Sequence, residues 1–431
     1  MTKTLFQKAS TGVAVALFSS FVGSGAAIAA EPKVKDIITN YSNIAQATYE
    51  DSLKTAEALK AKIDAFIKAP SAETLKAART SWIASRVPYQ QSEAYRFGNA
   101  IVDDWEGKVN AWPLDEGLID YVSKDYGTES DENDLYVANV VSAKSIKIGG
   151  KTVDTSKINK ELISETLHEA GDVEANVATG YHAIEFLLWG QDLNGTKKGA
   201  GNRPHTDFDV KNCTNGNCDR RIAYLTTATN LLIDDLKWMV AQWGEKGAAR
   251  TGLLAKSDNE VLSTIFTGLG SLSYGELAGE RMKLGLILHD PEEEHDCFSD
   301  NTHNSHYYDA LGIQNVYLGT YKRVDGSVVK GASVSDLVKV RDAKADVDLT
   351  AKLAATITAM KAMVKRAETV EAYDQMISEG NKEGNAVVQA SIDGLTNQTK
   401  AIQRAVAALN LKSIEFEGSD SLDNPSKVSA E

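Results

Sequence analysis

The chain has few cysteines and no haem-attachment pattern. Of its 431 residues only three are cysteine, so a zinc site made of four cysteines is excluded, and no CxxCH sequence is present. Cys213 and Cys218 lie close together in the loop sequence KNCTNGNCDR, where a local disulfide is the simplest interpretation for an oxidising compartment. Two free thiols are the alternative, and Cys297 is left over.

Basic residues are fewer than acidic ones. The chain has 46 Lys and Arg against 60 Asp and Glu, a formal charge of −14, and no basic patch. Nucleic acid is therefore excluded as a partner. The sequence has no GxSxG, no P-loop and no GxGxxG before a helix, which leaves serine-hydrolase and nucleotide-binding functions without support.

No apolar run is long enough for an ordinary membrane span. The run from Gly12 to Val22 follows Lys3 and Lys8 and precedes small residues, a pattern typical of a signal peptide over residues 1–29 with cleavage after Ala29. No cysteine follows the cut, so a lipoprotein anchor is not indicated. We expect an exported periplasmic protein with a mature charge of −14 − 2 = −16. Peripheral association with the outer membrane is left open.

Apolar residues recur with helical spacing along most of the chain, which has only 7 prolines. The pattern predicts an all-α fold with a first helical bundle over 34–190, a polar loop over 191–218, a second bundle over 219–411 and a disordered tail over 412–431. Pro88 is expected to kink its helix or end it early. A small β-hairpin insertion is predicted around Gly149-Gly150 in IKIGGKTV. The helices are expected at about 34–66, 71–97, 158–189, 219–243, 259–288, 334–366 and 386–411.

The two halves of the chain share short patterns. SEAYRFG and GERMKLG both read Glu-x-x-basic-apolar-Gly, which sets Glu93 against Glu280. A weaker match aligns HAIEFLLWG with AYDQMISEG, which sets His182 against Ala372. The simplest architecture is two related four-helix bundles that arose by internal duplication.

The stretch GYHAIEFLLWG has the composition of a buried helix, yet it contains His182 and Glu185. Side chains three residues apart on a helix are neighbours, so both can contact one ion. A buried carboxylate needs a cation or a fixed donor, and a metal, an arginine or the imidazolium would each serve. A metal site is therefore one interpretation, and a purely structural His–Glu pair is another.

A second polar segment, WIASRVPYQQSEAYRFG, is expected to contribute to the same site. Its Arg86, Tyr89, Glu93 and Arg96 lie on one predicted helix. One interpretation is a salt-bridge network between helices. The other is that Glu93 supplies a carboxylate to the His182 site, with the arginines holding this carboxylate or an anionic ligand. Asp115 in WPLDEGLIDYV is a ligand or, as we favour, a helix N-cap.

Four of the seven histidines lie in or beside the polar segment DPEEEHDCFSDNTHNSHYYD: His289, His295, His303 and His306. The segment is either a second metal site or an exposed loop between two helices, since the spacings match no fixed ligand pattern.

Together these segments resemble the imelysin family, whose signature GxHxxE is matched by Gly180, His182 and Glu185. The segments around Arg86, Pro113 and GERMKL are also similar to that family, and DPEEEHDCFSDNTH is similar to its iron-regulated protein A branch; the family also includes insulin-cleaving metalloprotease-like members. The resemblance covers about Val34 to Leu411.

The resemblance implies two related helical bundles, a site near their interface, and a role in iron uptake, although peptidase activity was the basis of the family's name. It implies His182, Glu185 and Glu93 as metal ligands, with Arg86 and Arg96 holding them. Tyr89, Asp115 and Glu280 are further candidates for holding or orienting the ligands. Several family members are lipoproteins, and this chain lacks the cysteine for that anchor.

Two functions follow from these residues. One is a non-catalytic metal-binding protein of iron uptake or homeostasis, acting with components of an uptake system, since a histidine with carboxylates suits iron or manganese and holds zinc less selectively. The other is a metallopeptidase, which needs three ligands, an open position for water and a separate base. If Glu185 is a ligand it cannot be that base, so the binding role is preferred.

Overall fold

The computed structural model describes residues 31–131 and 133–428, and the predicted signal peptide lies outside them. Long helices dominate, which confirms the predicted all-α class. In chain order the α-helices are α1 Val34–Lys68, α2 Ala72–Gln90, α3 Ala100–Asn110, α4 Glu116–Ile119, α5 Gly180–Trp189, α6 Cys218–Trp243, α7 Ala248–Ala255, α8 Asp258–Ser271, α9 Leu284–Leu288, α10 Thr302–Leu318, α11 Val334–Arg341, α12 Ala343–Thr369, α13 Tyr373–Ile377, α14 Lys382–Ala408, α15 Asp420–Asp423 and α16 Pro425–Val428.

Shorter and wider helical turns connect these helices. The π-helices span Leu162–Leu167 and Leu272–Lys283. The 3-10 turns span Glu93–Tyr95, Lys124–Tyr126, Ala170–Asp172, His205–Phe208 and Pro291–Glu293. None of the described helices combines the length and the apolar character that a membrane crossing requires.

Two antiparallel hairpins are the sheet structure of the described residues. β1 Ser145–Ile148 pairs with β2 Lys151–Asp154, with Ile148 opposite Lys151, so the predicted hairpin around Gly149-Gly150 is confirmed. β3 Thr320–Lys322 pairs with β4 Val328–Lys330, and this second hairpin was not predicted.

The start and end of α2 follow from local chemistry. The Ser71 hydroxyl accepts from the Thr74 amide at 3.1 Å, and the Thr74 hydroxyl accepts from the Ser71 amide at 3.0 Å. This reciprocal cap satisfies two amides that have no partner inside the helix. The helix ends at Gln90, soon after Pro88, so the prediction of an early end is confirmed.

The described residues from Pro32 onward form one compact unit, and their helices pack in two groups. α1 packs against α2 and α6, and α5 packs against α6 and α2. Later in the chain, α12 packs against α14 and α10, and the second π-helix packs against α14. α10 also contacts α2, which brings the polar loop before α10 close to the first group. The division into two duplicated bundles stays a prediction.

The helix predicted over 71–97 ends at Gln90, and the one predicted over 334–366 is divided into α11 and α12. The predicted helix over 158–189 and the predicted disordered tail also differ in the structure. A continuous helix was expected over 158–189, but Glu169, Gly171 and Asp172 have φ of 53°, 74° and 60°, and this left-handed backbone separates the first π-helix from α5. The tail was expected to be disordered, but Phe416 packs over Gly270 and the Ser421 hydroxyl donates to the Gly279 carbonyl at 3.0 Å. Glycines on α8 and the second π-helix leave the space that the tail fills.

The cysteines behave as the loop sequence predicts. Cys213 and Cys218 form a disulfide across the predicted polar loop, which confirms the local pairing. Cys297 is a free thiol and is partly buried.

Candidate metal centre

The candidate site lies inside the protein. Helix α5 carries His182 and Glu185, and all ten of its residues are buried. Gly180 opens the helix with φ of +77°, and a Cβ there would collide with the Val109 carbonyl. Only glycine meets both demands without strain. The Trp82 indole donates to the Tyr181 carbonyl at 3.0 Å and fixes the first turn against α2.

His182 and Glu185 contact each other, as their spacing predicts. His182 Nδ1 lies 2.9 Å from Glu185 Oε2, and Glu185 Oε1 accepts from the Ser299 amide at 3.0 Å. His182 Nε2 is buried and has no hydrogen-bond partner. A buried polar atom without a partner is rare in folded proteins, so this nitrogen is available to a ligand.

The polar loop before α10 supplies the groups opposite His182. His182, His295 and Asp296 each present one atom within 4.8 Å of the others'. The rings of His182 and His295 are 4.8 Å apart between centroids and meet edge to face. In the described part of the chain, this is the one group of three or more His, Cys, Asp or Glu side chains whose ligand atoms all lie within 4.8 Å of one another. All three are buried, with exposed fractions of 1%, 1% and 0%.

Asp296 is held by several donors. Its Oδ1 accepts from Arg86 Nη2 at 3.1 Å, and its Oδ2 accepts from the Ser305 hydroxyl at 2.5 Å and from the Asn301 amide group at 2.8 Å. Arg86 Nη1 also donates to Asn110 Oδ1 at 2.6 Å. These bonds fix the carboxylate beside His295.

Burial and charge set the protonation states at the cluster. Burial lowers the pKa of His182 and His295 well below the usual range, and the positive charge of Arg86 adds to this at His182. Burial alone would raise the pKa of Asp296, but Arg86 and the bond with His295 hold it well below its usual range. Burial and the charge of Asp296 raise the pKa of Glu185. The cluster thus offers two neutral imidazoles and one ionised carboxylate.

This donor set fits a divalent transition metal. Two imidazole nitrogens and a carboxylate oxygen are the ligands of many non-haem Fe(II) sites, and three protein ligands also suit zinc. His182 Nε2 has no partner inside the protein, and the ionised Asp296 beside it, which is paired with Arg86 at 3.1 Å, supplies a negative charge. Glu185, bonded to His182 Nδ1, lies where an orienting carboxylate does in metal sites.

Glu93 lies in a neighbouring ion-pair network. Its Oε2 accepts from Arg281 Nη2 at 2.9 Å, and Arg281 Nη1 donates to Asp309 at 3.1 Å. Arg96 joins the same network through Glu276 at 3.3 Å. The second π-helix turns Arg281 inward, and the adjacent Glu280 is exposed. Neither Glu93 nor Glu280 is in the group that shares an ion position with His182.

The remaining predicted residues lie close to the cluster or beside it. The Arg86 guanidinium stacks over the rings of Tyr89 and Tyr181, at 5.5 and 4.9 Å from their centroids. Asp115 precedes α4 but does not cap it, and its carboxylate accepts from Asn133 at 2.5 Å. It lines a cavity of about 340 Å³ together with Trp112, whose ring meets that of His295 at 5.7 Å.

The sequence does not show that His295 and His182 share a site. The histidine-rich segment indicates metal chemistry, but its spacings predict only a second site or an exposed loop. In the structure, His295 faces His182, whereas the His289 ring contacts the Ile377 carbonyl at 2.6 Å, and His303 and His306 lie on α10. Asp296 was not singled out at all.

The fold and the cluster define an all-helical protein with a buried candidate metal centre. The chain belongs to the imelysin family: the family model described as imelysin, which is classed among peptidases, matches residues 45–402. The resemblance seen in the sequence is thereby confirmed.

Individual relatives agree with this assignment. The chain is 34% identical over 64 residues to iron-regulated protein A of Synechococcus elongatus, a match that spans 15% of this chain and 18% of that protein. Its fold is similar to an iron-regulated protein A precursor from Parabacteroides distasonis (TM-score 0.60, 16% identity, 88% of this chain and 96% of the other). It is also similar to an imelysin-like protein from Psychrobacter arcticum (TM-score 0.54, 16% identity, 90% and 99%).

Proposed function

We propose that this protein binds iron without catalysis, through His182, His295 and Asp296, and serves iron uptake or homeostasis as an exported periplasmic protein. The observation that carries the proposal is the buried cluster itself, in which His182 Nε2 has no partner inside the protein. Zinc or manganese would use the same donors, so metal identity is part of the test.

Two observations support iron. The donor set of two imidazoles and one carboxylate is typical of non-haem Fe(II) sites. The relatives named iron-regulated protein A match the chain in sequence or in fold. Export is supported by Lys3, Lys8 and the small residues before Ala29, and a periplasmic location would bring the protein to incoming iron and to components of an uptake system.

The burial of the cluster favours binding over peptide hydrolysis. A peptidase must place a peptide bond beside its metal and a free carboxylate beside the attacking water. Here the three side chains are almost fully buried, and both oxygens of Glu185 already contact His182 and Ser299. A metallopeptidase is the alternative function that the same experiment measures.

The test compares iron content and Fe(II) affinity of the wild type with those of His182→Ala, His295→Ala and Asp296→Asn. His205→Ala is the matched control, because His205 lies in a 3-10 turn outside the cluster. We expect the three cluster variants to lose iron and the control to keep it. Unchanged iron binding in the cluster variants would refute the proposal.

A peptide-cleavage assay on the same samples addresses the alternative. We expect no metal-dependent cleavage by any of them. Cleavage by the wild type that a chelator stops, and that the cluster variants lack, would establish the metallopeptidase instead.

A further inference from the structure

A group of acidic side chains lines a small cavity beside the loop that carries His295. Asp374 from the first turn of α13, Glu294 from the loop before α10 and Asp192 from the loop after α5 line it, with Glu292 beside them. These residues come from three separate parts of the sequence. Their convergence on one cavity is therefore produced by the tertiary fold.

The carboxylates deepest in this group have no partners. Asp374 is 2% exposed, and neither of its oxygens has a hydrogen-bond partner. Glu294 is 1% exposed; its Oε2 accepts from the Thr302 hydroxyl at 2.8 Å, and its Oε1 has no partner. Buried carboxylate oxygens without a donor or a cation are costly, and each of them points to a missing ligand.

The groups around this cavity are acidic, and burial raises their pKa values. Burial, followed by the charges of Asp374 and Asp192, raises the pKa of Asp300 to about 8. Burial, with the charges of Asp192 and Glu371, raises the pKa of Asp374 to about 7. In the described part of the chain, neither Asp374 nor Glu294 forms an ion pair with a basic side chain, so no cation of the protein compensates these groups when they ionise.

The size of the cavity limits what can fill it. Its volume of about 10 Å³ holds roughly one water-sized guest. The larger cavity of about 340 Å³ shares Glu116, Glu292, Cys297 and Phe298 with it, so the two cavities adjoin. An ion fits this space, and an organic ligand does not.

We propose that Asp374, Glu294 and their acidic neighbours form a second cation site, distinct from the His182 centre, for a hard divalent cation of the Ca²⁺, Mg²⁺ or Mn²⁺ class. Carboxylates and water suit these ions. The carboxylate oxygens are spread more widely than those of the His182 cluster, since they do not form a group within 4.8 Å. The ion therefore keeps water among its ligands, as Mg²⁺ and Ca²⁺ do in proteins.

Mn²⁺ is the probe, because its electron paramagnetic resonance signal distinguishes free from protein-bound ions and so gives the number of each. The titration uses wild type, His182→Ala, Asp374→Asn and the double variant. Glu57→Gln on the exposed face of α1 is the control for the loss of one negative charge. His182→Ala is expected to retain one Mn²⁺ that Ca²⁺ displaces. Asp374→Asn should bind that ion at least about tenfold more weakly, and Glu57→Gln should bind it as the wild type does.

A melting experiment guards against misfolding of the variant. Asp374→Asn removes one of several crowded carboxylates, so its metal-free melting temperature should equal or exceed that of the wild type. Ca²⁺ should raise the melting temperature of the wild type and have little effect on Asp374→Asn.

Equal Mn²⁺ binding by wild type and Asp374→Asn would overturn the second site. The absence of a Ca²⁺-displaceable ion in His182→Ala would do the same, and would show that the carboxylates hold protons only. The iron proposal fails on a different measurement: if it is wrong, His182→Ala binds iron as the wild type does.

Discussion

His182 Nδ1 lies 2.9 Å from Glu185 Oε2, while the other ring nitrogen of His182 has no partner. His182 and Glu185 therefore have different roles. The carboxylate orients the imidazole, and the imidazole presents Nε2 to the space shared with His295 and Asp296. We infer that Glu185 sets the tautomer of His182, a role different from the direct ligand predicted from the sequence.

Glu185→Gln tests this orienting role. In the tautomer that presents Nε2 to a metal, His182 carries its proton on Nδ1, and an ionised Glu185 accepts from that donor and from the Ser299 amide; glutamine offers one acceptor oxygen and leaves one donor unpaired. We expect Fe(II) affinity to fall by about 10- to 100-fold, against complete loss in His182→Ala. Isothermal titration of both variants measures the difference. Complete loss in Glu185→Gln would mean that Glu185 is itself a ligand.

Gly180→Ala should destabilise the protein and displace the cluster. The left-handed backbone costs an alanine about 1–2 kcal/mol, and its Cβ would also collide with the Val109 carbonyl. Gly149→Ala is the matched control, since Gly149 has a positive φ with open space around it. Urea unfolding should show a loss for Gly180→Ala that exceeds the control by about 1–3 kcal/mol. Equal losses of unfolding free energy in the two variants would show that the structure relieves the collision with the Val109 carbonyl.

Arg86→Met should be costly because it leaves Asp296 buried without its cation. Breaking one side of a buried ion pair costs about 3–5 kcal/mol, which urea unfolding of the metal-free protein would measure. Arg404→Met removes the arginine of a surface pair with Asp348 and should cost less than about 1 kcal/mol. If the two losses were similar, Asp296 would not depend on Arg86 for its charge.

Glu106 gives the protein a measurable pH dependence. Burial and the charge of Glu93 raise its pKa to about 7, although Arg96 and Arg281 act in the opposite direction. Between its unfolded pKa of 4.5 and about 7 the native state holds the proton that the unfolded state has lost, so stability falls as pH rises. The contribution is on the order of 3 kcal/mol.

Glu106→Gln mimics the protonated form and should remove this part of the pH slope. It can still accept from the Asn110 amide group, which Glu106 does at 2.9 Å. Unfolding free energies of the two proteins should diverge above about pH 4.5, and the variant should be the more stable at pH 8. Parallel curves would place the pKa of Glu106 in its usual range.

Much of the fold could be predicted because its signals are local. Helical periodicity located α1, α6 and α14, Gly149-Gly150 located the first hairpin, and the short spacing of Cys213 and Cys218 indicated their disulfide. The buried setting of His182 and Glu185 was also visible in their own ten-residue helix.

The other half of the cluster could not be predicted, since it depends on long-range packing. His295 and Asp296 lie in a loop without periodicity, and only the contact of α10 with α2 brings this loop to α5. The second π-helix changes which residue faces inward: counting along the sequence set Glu93 against Glu280, but the structure pairs Glu93 with Arg281.

The positions of the cluster residues along the chain have a mechanical consequence. His182 belongs to a core helix, and His295 lies 295 − 182 = 113 positions later in a loop. An ion bound by both would act as a removable cross-link between distant parts of one chain, and closing a long loop in this way restricts the unfolded state. The iron-free form would be the one that opens first, so we expect proteases in its surroundings to distinguish empty from loaded molecules.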